Sequence, residues 1–290
     1  MHCKVCNTDH EIVRSAGIRL KNRKSLITVK LACGHWNKLE IQEQSNLAKY
    51  YGGKLWQDGY SWVNVFYGSY WKNNTQQIDR AVSAIESDPS YSGGLSEYNV
   101  GQGKLLTSVV IPEDPPSTID DEQIIQKLKE WIPNTIPDVT GAYNVFFPPN
   151  VTVTMQGMSS CVEFCAYHSW DGKNLFYTVI PYPCQEGCNE CTQNSFDTLT
   201  MALSEEMTEL KTDMQVGAGW LIVQGNVALE LCDYCDENYV CKTASGYYVN
   251  AWWSNKNNAC WSPTMRPTFC EKIKQWLKEI LHIFNRNETD

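Results

Sequence analysis

Thirteen cysteines constrain this chain more than any other feature, because each must be cross-linked, hold a metal or be kept reduced. They fall into two groups. Cys3-x-x-Cys6 and Cys33-Gly34-His35 lie near the start. Cys161, Cys165, Cys184, Cys188, Cys191, Cys232, Cys235, Cys241 and Cys260 lie in the body of the chain, with Cys270 beyond them. The count is odd. An oxidising compartment would pair most of them, whereas a reducing one favours metal ligation by the closely spaced ones. The first group has zinc-ribbon or zinc-knuckle spacing. Two turns separated by a short hairpin would set three sulfurs and one imidazole tetrahedrally. We therefore expect a structural zinc held by Cys3, Cys6, Cys33 and His35. Such a site also explains how residues 1–50, poor in apolar side chains, could fold. Four protein ligands close the coordination sphere, so no catalysis is expected there. Cys184, Cys188 and Cys191 are spaced to hold a second metal or to form disulfides.

Of 290 residues, 42% are hydrophobic, enough for one substantial core with a small module beside it. Eleven tryptophans and fifteen tyrosines point to a rigid, aromatic-rich fold. The net charge of -9 gives no reason to expect a nucleic-acid partner. No apolar run approaches the ~18 residues of a membrane span. The start, Met1 to Cys6, lacks the apolar stretch of a signal peptide, so ordinary secretion is not expected.

Along the chain, Ser25 to Leu31 alternates like a strand, and Ile41 to Tyr51 reads as a helix leading to a junction at Gly52-Gly53. Trp62 to Tyr67, Val109 to Ile111, Tyr143 to Phe147 and Phe176 to Ile180 read as strands. Asn74 to Ser87 reads as a helix. So does Asp120 to Trp131, with Ser117 or Thr118 as its cap. A further helix is expected from Asp197 to about Thr212, capped by Ser195 or Asp197, and an amphipathic one from Glu271 to Phe284. No regular βαβ rhythm is visible, so the expected class is α+β. The expected units are residues 1–50 as a zinc-binding module, 51–265 as the core domain and 266–290 as a C-terminal helix and tail.

The helix from Asp197 carries the most chemistry. Leu199, Leu203, Met207 and Leu210 share one face. Glu205, Glu209 and Asp213 follow one another at i+4 steps along its edge, with Glu206 beside them. Carboxylates at i and i+4 can reach one cation, as two histidines do on a zincin helix. Like charges so spaced repel by a few tenths of a kcal/mol when exposed, a cost that a cation removes. The alternative is a solvated acidic face, common on surface helices.

Ser204-Glu205-Glu206-Met207-Thr208-Glu209, followed by Thr212-Asp213, resembles the S-H-E-L-x-E-x-x-T-D-P helix of the EXORDIUM/phosphate-induced protein family. Three positions depart from it: Glu205 replaces the histidine, Met207 the leucine, and Met214 the proline. The resemblance extends in collinear order through Phe66 to Trp71, Leu95 to Asn99, Gly101 to Gly103, Cys161 to His168, Ile180 to Pro183, Gly187-Cys188, Trp220, and Glu230 to Cys235. It implies a zincin-like core and a metal-dependent, peptidase-like hydrolase or its inactive descendant. Glu206 would be the general base, Glu209 a metal ligand, and Glu230 or Asp233 a further ligand. Glu205 stands where the first histidine ligand would be. An oxygen-only set of Glu205, Glu209 and Glu230 or Asp233 suits calcium, magnesium or manganese better than zinc. His168 could add a nitrogen ligand; the simpler reading makes it a structural histidine beside cysteines. The resemblance also implies disulfides among the body cysteines. Cys161 with Cys165 or Cys184, and Cys188 with Cys191, are possible pairs. It suggests an extracellular location, against the intracellular one suggested by the N-terminus. The rival function is a non-enzymatic extracellular or surface protein that binds carbohydrate or a protein partner, where the first reading has a peptide substrate.

Overall fold

Alternating side chains build an eight-stranded sheet that is buried on both faces over most of its width. The computed structural model describes residues 1–9, 11–20, 25–39, 47–182, 184, 188, 194–224, 227–235, 241–242 and 245–261. The strands are β1 (Ile12–Leu20), β2 (Ser25–Leu31), β3 (Trp36–Lys38), β4 (Ser61–Tyr67), β5 (Lys104–Ile111), β6 (Gly141–Phe146), β7 (Phe164–Trp170) and β8 (Phe176–Ile180). Their order across the sheet is β3-β2-β1-β7-β8-β6-β4-β5. Neighbours from β8 to β5 run parallel, and the remaining pairings are antiparallel.

Helix α1 (Gln76–Ser87) connects β4 to β5, and α2 (Asp121–Trp131) connects β5 to β6. The third helix, α3 (Ser195–Thr212), follows the sheet. Even-numbered residues Trp62, Phe66, Ala142, Phe146 and Ala166 pack with Ile78, Val82 and Ile85 of α1 and Leu199, Leu203 and Met207 of α3. Their odd-numbered neighbours Val63, Val65, Tyr143, Val145 and Tyr167 pack with Ile124, Ile125, Leu128 and Trp131 of α2. The period of two therefore divides one sheet between two cores. The mixed α+β class is as expected, with βαβ units in its parallel half that the sequence rhythm did not reveal.

Strands from residues 1–50 join the same sheet as strands further along the chain: β1 pairs with β7 over Ile18↔Tyr167, Gly17↔His168 and Ala16↔Ser169. Arg14 secures this strand. It is buried against Asp121 and donates to Tyr177 Oη (2.7 Å), Glu122 (3.0 Å) and the Trp170 carbonyl (3.1 Å). In the expected helix Ile41 to Tyr51, the described part carries a strand instead: Lys49–Tyr50 pairs with Trp220 and Leu221. The cap of α2 is Asp120 in a reciprocal capping box with Gln123, neither Ser117 nor Thr118. The expected helix Glu271 to Phe284 lies outside the described residues. No helix among the described residues is long and apolar enough to cross a membrane.

Candidate metal centre

Helix α3 begins at Asn194, whose side chain accepts from the Asp197 N–H (2.9 Å), so neither Ser195 nor Asp197 is the cap. Every residue from Thr198 to Asp213 is buried. The acidic edge is therefore not a solvated face. On the side away from the sheet the helix is covered by Tyr91 and the segment from Val249 to Trp253. Tyr91 Oη donates to the Asn250 carbonyl (2.6 Å), and the Asn250 N–H donates to Ser204 Oγ (2.9 Å).

Burial brings the acids to His168 of β7. His168 Nδ1 lies 3.0 Å from Glu206 Oε2 and 3.8 Å from Glu209 Oε2, and Nε2 lies 3.1 Å from Glu230 Oε1. All four residues are at most 2% exposed. Glu205 Oε2 accepts from Asn250 Nδ2 (2.8 Å), and Glu209 Oε1 accepts from the N–H of half-buried Asp233 (3.2 Å). Two donor groups, His168–Glu206–Glu209 and Glu205–Glu209–Asp233, each have their ligand atoms within 4.8 Å of one another and share Glu209. Asp213, in line with these acids in the sequence, serves another purpose. It accepts the N–H groups of Gly217 (2.6 Å), Ala218 (3.1 Å) and Gly219 (2.5 Å) and so shapes the turn after α3.

The structure adds residues that the sequence pattern did not single out. A polar row crosses the sheet on the α3 face in register Ser108–Asn64–Asn144–Thr178–His168–Gly17. Thr178 donates to Asn144 (2.9 Å), Asn144 to Asn64 (3.0 Å), and Asn64 to Asp79 of α1 (2.8 Å). The buried amides are thereby satisfied, and the strand carrying His168 is held in a stiff frame. Gly17 ends the row next to the imidazole. A Cβ there would overlap the Glu230 carboxylate and the His168 ring, so only glycine leaves room for the cluster. Asn250 is likewise a neighbour that no local pattern announces.

Burial alone would lower the pKa of His168, but the Glu230 and Glu206 carboxylates outweigh it and hold it well above the ordinary value. Burial, then the charges of Asp233 and Glu230, push Glu209 well above the carboxylate range. Burial, partly offset by His168, raises Glu230 to about 8. All three folded-state values are raised above the unfolded ones. Their stabilising contribution is complete below the unfolded pKa and is lost as pH rises through the folded one. Metal-stripped protein should therefore lose thermal stability between pH 4.5 and about 8. A melting temperature rising across that window would contradict these shifts.

The donor set could hold a divalent cation. Atoms bound to one cation at about 2.0–2.2 Å lie roughly 3.0–3.5 Å apart, close to the separations around His168. His168 Nε2 and Glu230 Oε1 are also off the line of a hydrogen bond to each other despite their closeness. A buried polar atom left in that state costs about 1–3 kcal/mol.

At the other end of β2, Cys3, Cys6, Cys33 and His35 meet as the spacing predicts, with one ligand atom of each within 4.8 Å of the others. Cys3 Sγ lies 3.7 Å from His35 Nδ1. Asn7 and Gly34 close the two turns with positive φ (55° and 86°). The backbone N–H of Cys6 is the main influence holding the Cys3 thiol down, to about 6, and so favours the thiolate that a metal requires. This group could hold a metal.

Three disulfides, Cys161–Cys184, Cys165–Cys188 and Cys235–Cys260, brace the body of the chain. The first is one of the two possibilities for Cys161. The pairs Cys161–Cys165 and Cys188–Cys191 do not form, and bridged Cys184 and Cys188 cannot serve a second metal. Parallel bridges form because the start of β7 lies alongside the segment holding residues 184 and 188, a contact that sequence spacing does not show. Cys232 is buried in the α3 core. Cys191, Cys270 and the side chain of Cys241 lie outside the described residues. Compared with known family models, curated proteins and solved structures, the chain shows no match.

Proposed function

We propose that this is a cation-binding protein of the EXORDIUM/phosphate-induced type, with a zincin-like core descended from a metal-dependent hydrolase and no longer used for turnover. One observation carries the reading: His168 from β7 meets the carboxylates of α3 where Glu205 no longer supplies an imidazole, and the whole donor group is closed off from solvent. His168 Nδ1, Glu206 and Glu209 are the proposed ligands, and the Glu230 carboxylate, 3.1 Å from Nε2, acts on the ring through its charge. A nitrogen in the set shifts the preference from calcium towards zinc, with manganese also compatible with a mixed nitrogen and carboxylate set. A divalent cation here supplies positive charge to a buried acidic cluster; in an open site it would also polarise a scissile carbonyl. Glu206, the residue the resemblance makes the general base, lies 3.0 Å from His168 Nδ1 and is buried, which supports a reading without turnover. Cys3, Cys6, Cys33 and His35 are proposed to hold a structural zinc. The three disulfides favour an oxidising, extracellular setting.

Elemental analysis of protein purified without chelator tests this. One zinc should be lost in Cys3→Ser/Cys6→Ser, and a second cation in Glu206→Gln/Glu209→Gln. Neither change should abolish a peptidase activity, because none is expected on a peptide library supplied with zinc, manganese or calcium. Metal content unmoved by the glutamate changes would make the cluster a hydrogen-bonded ionic core. Peptide turnover abolished by Glu206→Gln would establish an active hydrolase.

A further inference from the structure

Glu209 faces two ways. Its Oε2 is turned to His168 Nδ1 (3.8 Å), while its Oε1 accepts from the Asp233 N–H (3.2 Å). One carboxylate therefore presents an oxygen to each of two donor groups, His168–Glu206–Glu209 on one side and Glu205–Glu209–Asp233 on the other. A carboxylate so placed can bridge a pair of metal ions, which lie about 3.5–4 Å apart in two-metal sites. The second group consists of oxygens alone. Oxygens on opposite sides of an ion bound at 2.3–2.6 Å lie roughly 4.6–5.2 Å apart, and adjacent ones lie closer. The ligand atoms of this group, all within 4.8 Å of one another, have that spread. Asp233 is steadied by accepting the Glu230 N–H at Oδ2 (3.2 Å).

Asn250 points to the same ion. It is 3% exposed, its Nδ2 donates to Glu205 Oε2 (2.8 Å), and its Oδ1 has no hydrogen-bond partner. A buried amide oxygen left in that state is costly. The Asn250 backbone is held by Ser204 Oγ and Tyr91 Oη, so the amide alone can turn. A half-turn exchanges Nδ2 for Oδ1 and sets a further oxygen beside Glu205 Oε2. Two acceptors at that separation need a cation between them, and amide oxygens are ordinary ligands of hard cations. Charge argues the same way. Glu205, Glu206, Glu209, Glu230 and Asp233 carry five negative charges when ionised; one divalent ion leaves three of them uncompensated, and two leave one. Uncompensated charge is what a buried site tolerates least. An ion does not need an opening to reach these groups, because the ligands assemble, and capture it, only as the segment from Val249 to Trp253 closes over α3.

We infer that the cluster is a dinuclear centre, in which Glu209 bridges the cation proposed at His168 and Glu206 to a second one, calcium or manganese, held by Glu205, Asp233 and the Asn250 amide oxygen. This rests on the first cation being bound. The test is elemental analysis of total metal in the full chain, purified with calcium and manganese added and then desalted. Glu209→Gln should lose two ions per chain, and Glu205→Gln and Asp233→Asn one each. All three changes keep the shape of the side chain, and half-buried Asp233 reports even where a change on α3 fails to fold. Loss of one ion in Glu209→Gln, with none lost in Glu205→Gln or Asp233→Asn, would leave a single cation and overturn the dinuclear centre. No ion lost in any of the three would overturn the first cation as well.

Discussion

Replacing His168 with alanine is expected to destabilise the protein by about 3–5 kcal/mol, the cost of removing one partner from a buried ionic group. The same change should remove the cation proposed at α3 and leave the zinc proposed at Cys3, Cys6, Cys33 and His35 in place. The size follows from what remains behind. Glu206, Glu209 and Glu230 stay buried, and among the described residues no other cationic side chain pairs with them; Lys211, buried on the same helix, is paired with Glu86 at 2.6 Å. Urea unfolding together with elemental analysis provides both readouts. A loss below about 1 kcal/mol with metal content unchanged would show that His168 merely fills space.

Breaking the Cys165–Cys188 bridge by a double change to alanine should cost less than the about 3 kcal/mol expected of an isolated bridge of 23-residue separation. Cys165 sits on β7 three residues before His168, so the bridge fixes one end of the strand that delivers the imidazole. The neighbouring Cys161–Cys184 bridge spans almost the same loop and therefore does not add its full value. Chemical denaturation of the double variant beside the parent checks the figure. An unchanged denaturation midpoint would mean that the remaining bridge already supplies the whole constraint.

Local pattern predicted local structure closely. The expected helix from Asp197 to Thr212 is observed as Ser195–Thr212, and the strand from Phe176 to Ile180 has the expected ends, because periodicity and capping chemistry act within a few residues. The Cys3, Cys6, Cys33 and His35 group was legible for the same reason. Partners far apart in sequence were not. Nothing in the alternation of β1 says that it will lie against β7 and bring Gly17 to His168. The acids of α3 look like a surface stripe because the covering segment from Val249 to Trp253 follows much later in the chain. Asn64 and Asn144, polar residues within otherwise apolar strands, were the available clue to a buried polar row. Their meaning depends on a register that only the folded sheet supplies.

The pairing of β1 with β7 also sets an order of events during synthesis. The two strands lie about 150 residues apart, so at roughly 5–20 residues per second the first waits some 8–30 s for its partner. During that interval, one long edge of β1 has no strand to bond to and is exposed to association with other chains. Cys3, Cys6, Cys33 and His35, by contrast, all emerge with the first turns and hairpin. A metal captured there would pin β2 and β3 while the ribosome is still far from β7. The amino-terminal metal would then act chiefly in time, keeping an early, incomplete sheet edge in order until the rest of the protein arrives.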